Sequence, residues 1–255
     1  MNVVITGANQ GIGYFLVQQL LKDGNRVSVL DLDTENLQKL KEEYGENLLY
    51  FQVDVRNQEE VNAAVADAAA RFSNIDVAIH NACKCTFEAE ANTDLDTYRE
   101  VLDVNYFGAL RLAKSVLPYM VRQNQGRIIF TSSGVGVMGF TRISPYASSK
   151  GAIESLAKCL NIEYGKNNIS FHIFHPPLTR TKSAQPLPVP QEFMALPEKV
   201  GSGLAKHIRS KHYIICHSFS QRAQTLLCYL CPLKMGRLMS KMTDRYENMP
   251  EEKKK

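Results

Sequence analysis

The sequence predicts an α/β fold: a doubly wound sheet of seven parallel strands with helices on both faces. Three observations predict it. Seven short β-rich runs alternate with longer segments of helical apolar period, as crossover units in a parallel sheet require. The first run leads straight into a glycine-rich turn and then a helical period. Small or polar residues recur just past the ends of several runs, and in such sheets ligands bind outside the carboxyl ends of the strands.

Taken in order, Asn2–Thr6 is a β-branched run and reads as a buried strand. Residues 7–13, Gly-Ala-Asn-Gln-Gly-Ile-Gly, follow, and a helix is predicted over 14–23. Strand, glycine turn and helix in that order form an anion cradle. The glycines let the backbone approach a pyrophosphate, and the helix N–H groups favour its charge. The spacing is Gly-x-x-x-Gly-x-Gly, not the commoner Gly-x-Gly-x-x-Gly. A second strand over 26–30 ends at Asp31. A carboxylate there can accept hydrogen bonds from an adenosine ribose and repel a 2′-phosphate. Gln10 adds no positive charge to welcome one, so NAD is expected in preference to NADP. A helix over 34–44, a strand over 48–53 ending at Asp54-Val55, a helix over 59–72 and a strand over 75–80 closing with Asn81-Ala82 complete the first half.

The second half opens with a long helical pattern over 95–120 containing Asn105, which by itself reads as a satisfied core amide. A fifth strand spans 127–132, with Ser133 just past its end. A glycine-bearing loop then leads to a helix over 146–164 that begins Tyr146-x-x-x-Lys150. Four residues along a helix bring two side chains onto one face. An ammonium beside a phenol favours the phenolate and pulls its pKa toward the working range, while a hydroxyl in reach could polarise a carbonyl. The sixth strand is Ile169–Phe174, and His175, which leaves it, is expected to satisfy backbone groups. Residues 178–200, rich in proline, read as a substrate loop. A helix over 198–209 and a seventh strand over 212–217 follow, then a basic amphipathic segment over 222–242 interrupted by Pro232. Residues 251–255 are expected to be disordered. With neither repeats nor a linker, residues 1–218 are read as a single domain, and 219–255 as its extension.

Composition sets the bounds. The 255 residues are 44% apolar and 22% charged, ordinary for a soluble globular chain. No apolar run is long enough to span a bilayer, and the first strand begins at once, leaving no room for a leader segment. A cytoplasmic protein is expected. Six scattered cysteines are no disulfide framework. Cys228-x-x-Cys231 lacks a second ligand pair and sits in apolar context, so core thiols are expected rather than a metal. From Lys206 onward 11 Lys+Arg face 4 Asp+Glu, a net of +7, and the preceding 205 residues carry −3.

Together these motifs resemble the short-chain dehydrogenase/reductase family, in its one-domain Rossmann-like branch, over residues 1 to about 218. Its Thr-Gly-x-x-x-Gly-x-Gly is matched by residues 6–13, its adenine-contacting Asp by Asp54, and the start of its Asn-Ala-Gly by Asn81-Ala82. Its catalytic Asn, Ser, Tyr and Lys are matched by Asn105, Ser133, Tyr146 and Lys150. The resemblance implies hydride transfer between a nicotinamide and a small-molecule alcohol or ketone. Tyr146 would exchange the proton, Ser133 hold the carbonyl oxygen, and Lys150 bind the ribose and lower the tyrosine pKa. Asn105 would hold a relay water. The implied cofactor contacts are Thr6, Gly7, Gln10, Gly11, Ile12, Gly13, Asp31, Asp54, Val55, Asn81, Ala82, Pro176 and Thr181, with Tyr146 and Lys150. Cys83 and Pro177 depart from the family's glycines.

Apolar residues in two loops (Val135, Met138, Phe140; Leu187, Phe193, Met194) suggest a hydrophobic substrate such as a steroid, lipid or retinoid-like alcohol. A homodimer or homotetramer is implied by resemblance, and no nucleic-acid partner is expected. The 222–242 segment is expected to pack on its own domain or a partner subunit, with weak membrane contact as the alternative. A catalytically idle NAD-binding sensor or scaffold is the competing function.

Overall fold

Strands β1 (Asn2–Thr6), β2 (Arg26–Asp31), β3 (Leu48–Gln52), β4 (Val77–His80), β5 (Gly126–Thr131), β6 (Ile169–Phe174) and β7 (Ile214–Ile215) form one sheet in the order β3-β2-β1-β4-β5-β6-β7. Every pair is parallel. The computed structural model describes residues 1–249. All five residues of β1 are buried, as a central strand covered on both faces must be.

Alternation along the strands divides the core in two. Val4, Ala78, Ile128 and Phe130 face a layer that includes Val65, Leu112, Val116 and Ile153. Those residues come from helices α3 (Gln58–Phe72), α5 (Gly108–Gln123) and α7 (Ser144–Glu163). Val3, Ile5, Val77 and Ile79 face the other way, toward Leu16, Leu20, Leu40 and Leu204. These belong to α1 (Gly11–Lys22), α2 (Leu37–Tyr44) and α8 (Pro197–Lys206). The chain winds outward in one direction from β1 through β2 and β3, and in the other through β4 to β7, so the order reverses between β1 and β4.

Four local differences from the expected elements have physical causes. The pattern over 95–120 is two helices, α4 (Leu95–Leu102) and α5, joined by a π-helical turn at Asp103–Phe107. The loop before Tyr146 contains a one-turn helix, α6 (Val135–Met138). The seventh strand is only two residues long, with Ile214 paired to Ile173 and Ile215 to Phe174 of β6. The basic segment is a hairpin of α9 (Phe219–Leu230) and α10 (Pro232–Glu247). It starts earlier than expected because the Ser218 hydroxyl accepts the Gln221 N–H at 3.2 Å as an N-cap. It breaks at Pro232, which has no N–H to continue α9 and serves as the first residue of α10. The expected disorder of 251–255 lies outside the described residues.

Candidate active site

The glycine turn packs tightly against its neighbours, at positions where only a glycine fits. Gly7 has φ +68°, and a Cβ there would stand 2.3 Å from the Cα of Ala82. A Cβ on Gly13 would stand 2.4 Å from the Gly7 carbonyl oxygen. The N-terminus of α1 has no side-chain cap at Gln10 and no acidic residue in its first turn. Its N–H groups and dipole are thus left for an external anion. Thr181 closes the same place from above, its Cγ2 lying 3.2 Å from where a Cβ on Gly11 would be. Ile12 turns its main chain toward Gly201 of α8.

Around this cradle the strand ends are stapled together. The Thr6 hydroxyl accepts the N–H groups of Asn81 and Ala82 at 3.2 and 3.3 Å and pairs with His80 Nδ1 at 2.9 Å. The Asn81 amide donates to the Gly7 carbonyl at 2.5 Å. Asp31 stands at the edge of the cradle, accepting the Asn9 N–H at 2.8 Å. Asp54 is engaged by Arg56 through an ion pair at 2.6 Å, and this bond holds its carboxyl below the usual carboxylate range. Val55 is buried against Gly108. Pro176 follows β6 at half-buried depth, on the way to Thr181.

Asn105, Ser133, Tyr146 and Lys150 converge at the carboxyl ends of β4 and β5. Lys150 is almost wholly buried (1% exposed). Its Nζ donates to the Thr131 carbonyl at 2.8 Å and lies 5.4 Å from the centre of the Tyr146 ring. The Ser133 hydroxyl interacts with the phenol and favours its ionised form. Asn105 is buried within the π turn. Its amide donates to the Lys84 carbonyl at 3.0 Å and to the Ser149 hydroxyl at 2.9 Å, and its oxygen accepts the Lys84 N–H at 2.8 Å. Ser149 in turn donates to the Tyr146 carbonyl at 2.7 Å. The Asn105 side chain therefore locks the loop after β4 and the start of α7 to the π turn, and such turns recur at functional sites.

The electrostatics differ from expectation at the phenol. Burial raises the Tyr146 pKa well above the ordinary value, with Cys83 and Cys85 adding to the rise and Ser133 opposing it. Lys150 is itself pulled down by burial. Its ammonium donates to the Thr131 carbonyl and lies 5.4 Å from the ring centre, and burial remains the dominant influence on the phenol. Protein groups alone thus hold Tyr146 as a neutral acid.

Several residues near the site make contacts that the sequence does not predict. His175 pairs not with backbone but with Glu154 Oε1 at 2.7 Å. Cys83, at the position of a family glycine, lies close enough to both Tyr146 and Lys150 to affect their charge. Of the expected core thiols, Cys228 is buried against Met138 at 3.8 Å and Cys231 is exposed. Phe87, Arg142, Pro186, Pro188 and Glu247 help line a hollow of about 320 Å³. Phe140 stacks near Phe87 with ring centres 6.5 Å apart. Phe193, expected in the pocket, is largely exposed, while Met194 is buried. Among the described residues no cluster of three or more His, Cys, Asp or Glu could hold a metal. None of the described helices is long and apolar enough to cross a membrane.

The chain is similar to known proteins in sequence and in fold. The sequence model of the short chain dehydrogenases matches residues 1–191. The 2-(R)-hydroxypropyl-CoM dehydrogenase of Xanthobacter autotrophicus is 31% identical over 209 residues, covering 77% of this chain and 83% of that protein. Oxidoreductase UcpA of Salmonella typhimurium is 34% identical over 212 residues, covering 80% and 79%. In three dimensions a short-chain dehydrogenase from Streptomyces avermitilis superposes with a TM-score of 0.79 at 21% identity, covering 97% of this chain and 98% of the other. With the glycine cradle at β1, the Tyr146–Lys150 pair on α7 and these relatives, the chain belongs to the short-chain dehydrogenase family of oxidoreductases.

Proposed function

We propose that the protein is an NAD(H)-dependent oxidoreductase that interconverts a secondary alcohol and its ketone. One observation carries the reading: the Ser133 hydroxyl meets the Tyr146 phenol and the Lys150 ammonium lies over its ring, at the strand ends beside an uncapped glycine-rich helix N-terminus. The uncapped N–H groups at the start of α1 fit a dinucleotide's pyrophosphate, and Gly7 and Gly13 let the turn pack tightly enough against Ala82 and its own main chain to present them. When bound, the nicotinamide supplies or takes the hydride.

In reduction, Tyr146 donates its proton to the carbonyl oxygen as negative charge grows there. Ser133 hydrogen-bonds the same oxygen and stabilises that charge. Lys150, buried and held by the Thr131 carbonyl, is assigned to the nicotinamide ribose hydroxyls and stabilises the phenolate left behind. Asn105 fixes the main chain of the π turn, where a water would link Lys150 to solvent. Thr181 is assigned to the carboxamide, Asp31 to the adenosine ribose, and Asp54, Val55, Asn81, Ala82 and Pro176 to the walls of the cofactor groove. Asp31 makes NAD the preferred cofactor.

The substrate is assigned as an alcohol or ketone with an apolar body, supported by Phe87, Phe140 and Met138 beside the catalytic loop. A dimer through α5 and α7 is supported by exposed Phe107 and Ile162. Weak contact with anionic membranes is supported by exposed Leu230 and Leu233 beside Lys234 and Arg237 on the hairpin. Vesicle co-sedimentation that persists without residues 219–255 would remove that assignment.

The deciding experiment is a panel of secondary alcohols and ketones of graded hydrophobicity, followed by absorbance of the reduced cofactor. Turnover is expected on at least one, with Tyr146→Phe lowering it by about 10²- to 10⁴-fold while NADH still binds. NADH binding without turnover on any member, unchanged by Tyr146→Phe, would instead identify an idle NAD sensor.

A further inference from the structure

Beneath the catalytic helix lies a carboxylate for which the reaction has no direct use. Glu154 follows Lys150 by one turn of α7 and is buried (4% exposed). Taking a carboxylate out of water is unfavourable unless its oxygens are hydrogen-bonded, and here both are. Oε1 accepts from the Ser132 hydroxyl at 2.8 Å and from His175 Nε2 at 2.7 Å. Oε2 accepts from the Tyr229 hydroxyl at 2.5 Å. Burial raises the Glu154 pKa, but the bonds from His175, Tyr229 and Ser132 outweigh it and hold the group below its ordinary value.

The three donors arrive from three parts of the site. Ser132 directly follows β5 and immediately precedes Ser133. His175 leaves β6 and immediately precedes Pro176. Tyr229 belongs to α9 of the hairpin. The hairpin also grips the catalytic loop, residues 133–143 between β5 and α7, through α10. Gly236 lies so close that a Cβ would stand 2.4 Å from the Gly139 carbonyl oxygen. The Ser240 hydroxyl accepts the Thr141 N–H at 3.1 Å, and Glu247 pairs with Arg142. Arg142 carries a left-handed backbone (φ 66°), a conformation that a non-glycine residue keeps only when its surroundings impose it.

We propose that Glu154 is a positioning residue which, through Tyr229, makes the C-terminal hairpin a working part of the active site. The assignment rests on the hydride-transfer reading above. Without the Tyr229 hydroxyl, Oε2 has no donor and the carboxylate is held through Oε1 alone, so it fixes Ser132, and with it the register of Ser133 against Tyr146, less firmly.

The test compares full-length Tyr229→Phe, Glu154→Gln and Glu154→Leu, using NADH and the best ketone of the panel, with hydrogen exchange on each variant. Tyr229→Phe is expected to lower kcat about tenfold with KM for NADH unchanged. It should also speed exchange at residues 133–139, outside the hairpin. Gln can accept from Ser132 and His175 and donate to the tyrosine oxygen, so Glu154→Gln should stay within about threefold of wild type. Glu154→Leu should fall at least as far as Tyr229→Phe. Wild-type kcat together with unchanged exchange at 133–139 in Tyr229→Phe overturns the proposal, as does a Gln variant no better than Leu. Should Glu154→Leu not fold, the two shape-preserving variants decide. If the wild type binds NADH but turns over no substrate, the functional reading fails instead, and exchange at 133–139 alone decides the positioning role.

Discussion

The Asp31 carboxylate accepts the main-chain N–H of Asn9 at 2.8 Å, tying the end of β2 to the glycine turn. The bond holds a negative charge at the edge of the cradle. A ribose can share it, and a 2′-phosphate meets repulsion. NADPH is expected to bind at least about tenfold more weakly than NADH, a difference of about 1.4 kcal/mol. Asp31→Ser should narrow the gap. Titration of cofactor fluorescence measures both, and tighter binding of NADPH to the wild type would refute the assignment.

The raised Tyr146 pKa has a sign that kinetics can read. A phenol held neutral is ready to donate, so reductive kcat/KM should stay level from neutral into alkaline pH. Oxidation needs the phenolate, so its kcat/KM should climb with pH and show no plateau below the ordinary tyrosine value near 10. An oxidative profile already flat at neutrality would show that bound cofactor and Lys150 reverse the burial effect.

Gly13→Ala tests the cradle. Its methyl would meet the Gly7 carbonyl at 2.4 Å and the Ala8 Cα at 2.7 Å, both main chain, and neither can move without shifting the turn. Loss of NADH binding by more than about 100-fold is expected, with a fall in Tm, from overpacking of about 1–3 kcal/mol. Calorimetric titration that finds wild-type affinity would place the cofactor elsewhere.

Two buried histidines predict how stability responds to acid. Burial, reinforced by Lys150, drives His80 down to about 3, and burial takes His172 down to about 4. The unfolded chain protonates both near 6.5 while the folded protein leaves them neutral. Their contribution is therefore complete above about pH 6.5. It is lost as pH falls toward 4, and on toward 3 for His80. Each adds a slope of about 1.4 kcal/mol per pH unit within its window. Urea unfolding between pH 6.5 and 5 should show it, and His172→Gln should remove about one proton from the slope. An unchanged slope would mean that His172 does not titrate on unfolding.

What could be read in advance was local. Ile169–Phe174 matches β6 to the residue because its buried β-rich run is bounded by turn residues. Tyr146 and Lys150 share α7, so their spacing alone put them on one face. The π turn at Asp103–Phe107 left no trace, since one extra residue in a helical period barely disturbs the apolar pattern. The strand expected over 212–217 shrank to Ile214–Ile215, because how far a run pairs is set by its register against β6 and not by its own composition. His175 and Glu154 are 21 residues apart, Glu154 and Tyr229 are 75 apart, and no periodicity relates either pair. The place of Cys83 beside the phenol was likewise set by tertiary packing.

The bond between Glu154 and Tyr229 also orders events in time. Synthesis proceeds at roughly 5–20 residues per second, so the tyrosine is added about 4–15 s after its acceptor. In that interval the sheet from β1 to β6 can assemble, yet the catalytic loop lacks both of its clamps. A chain lacking residues 219–255 would be without both the Tyr229 bond to Glu154 and the α10 contacts with residues 139–142. Fusion of a rigid partner close behind α10 would matter to turnover, whereas the same fusion made through a long flexible linker would not.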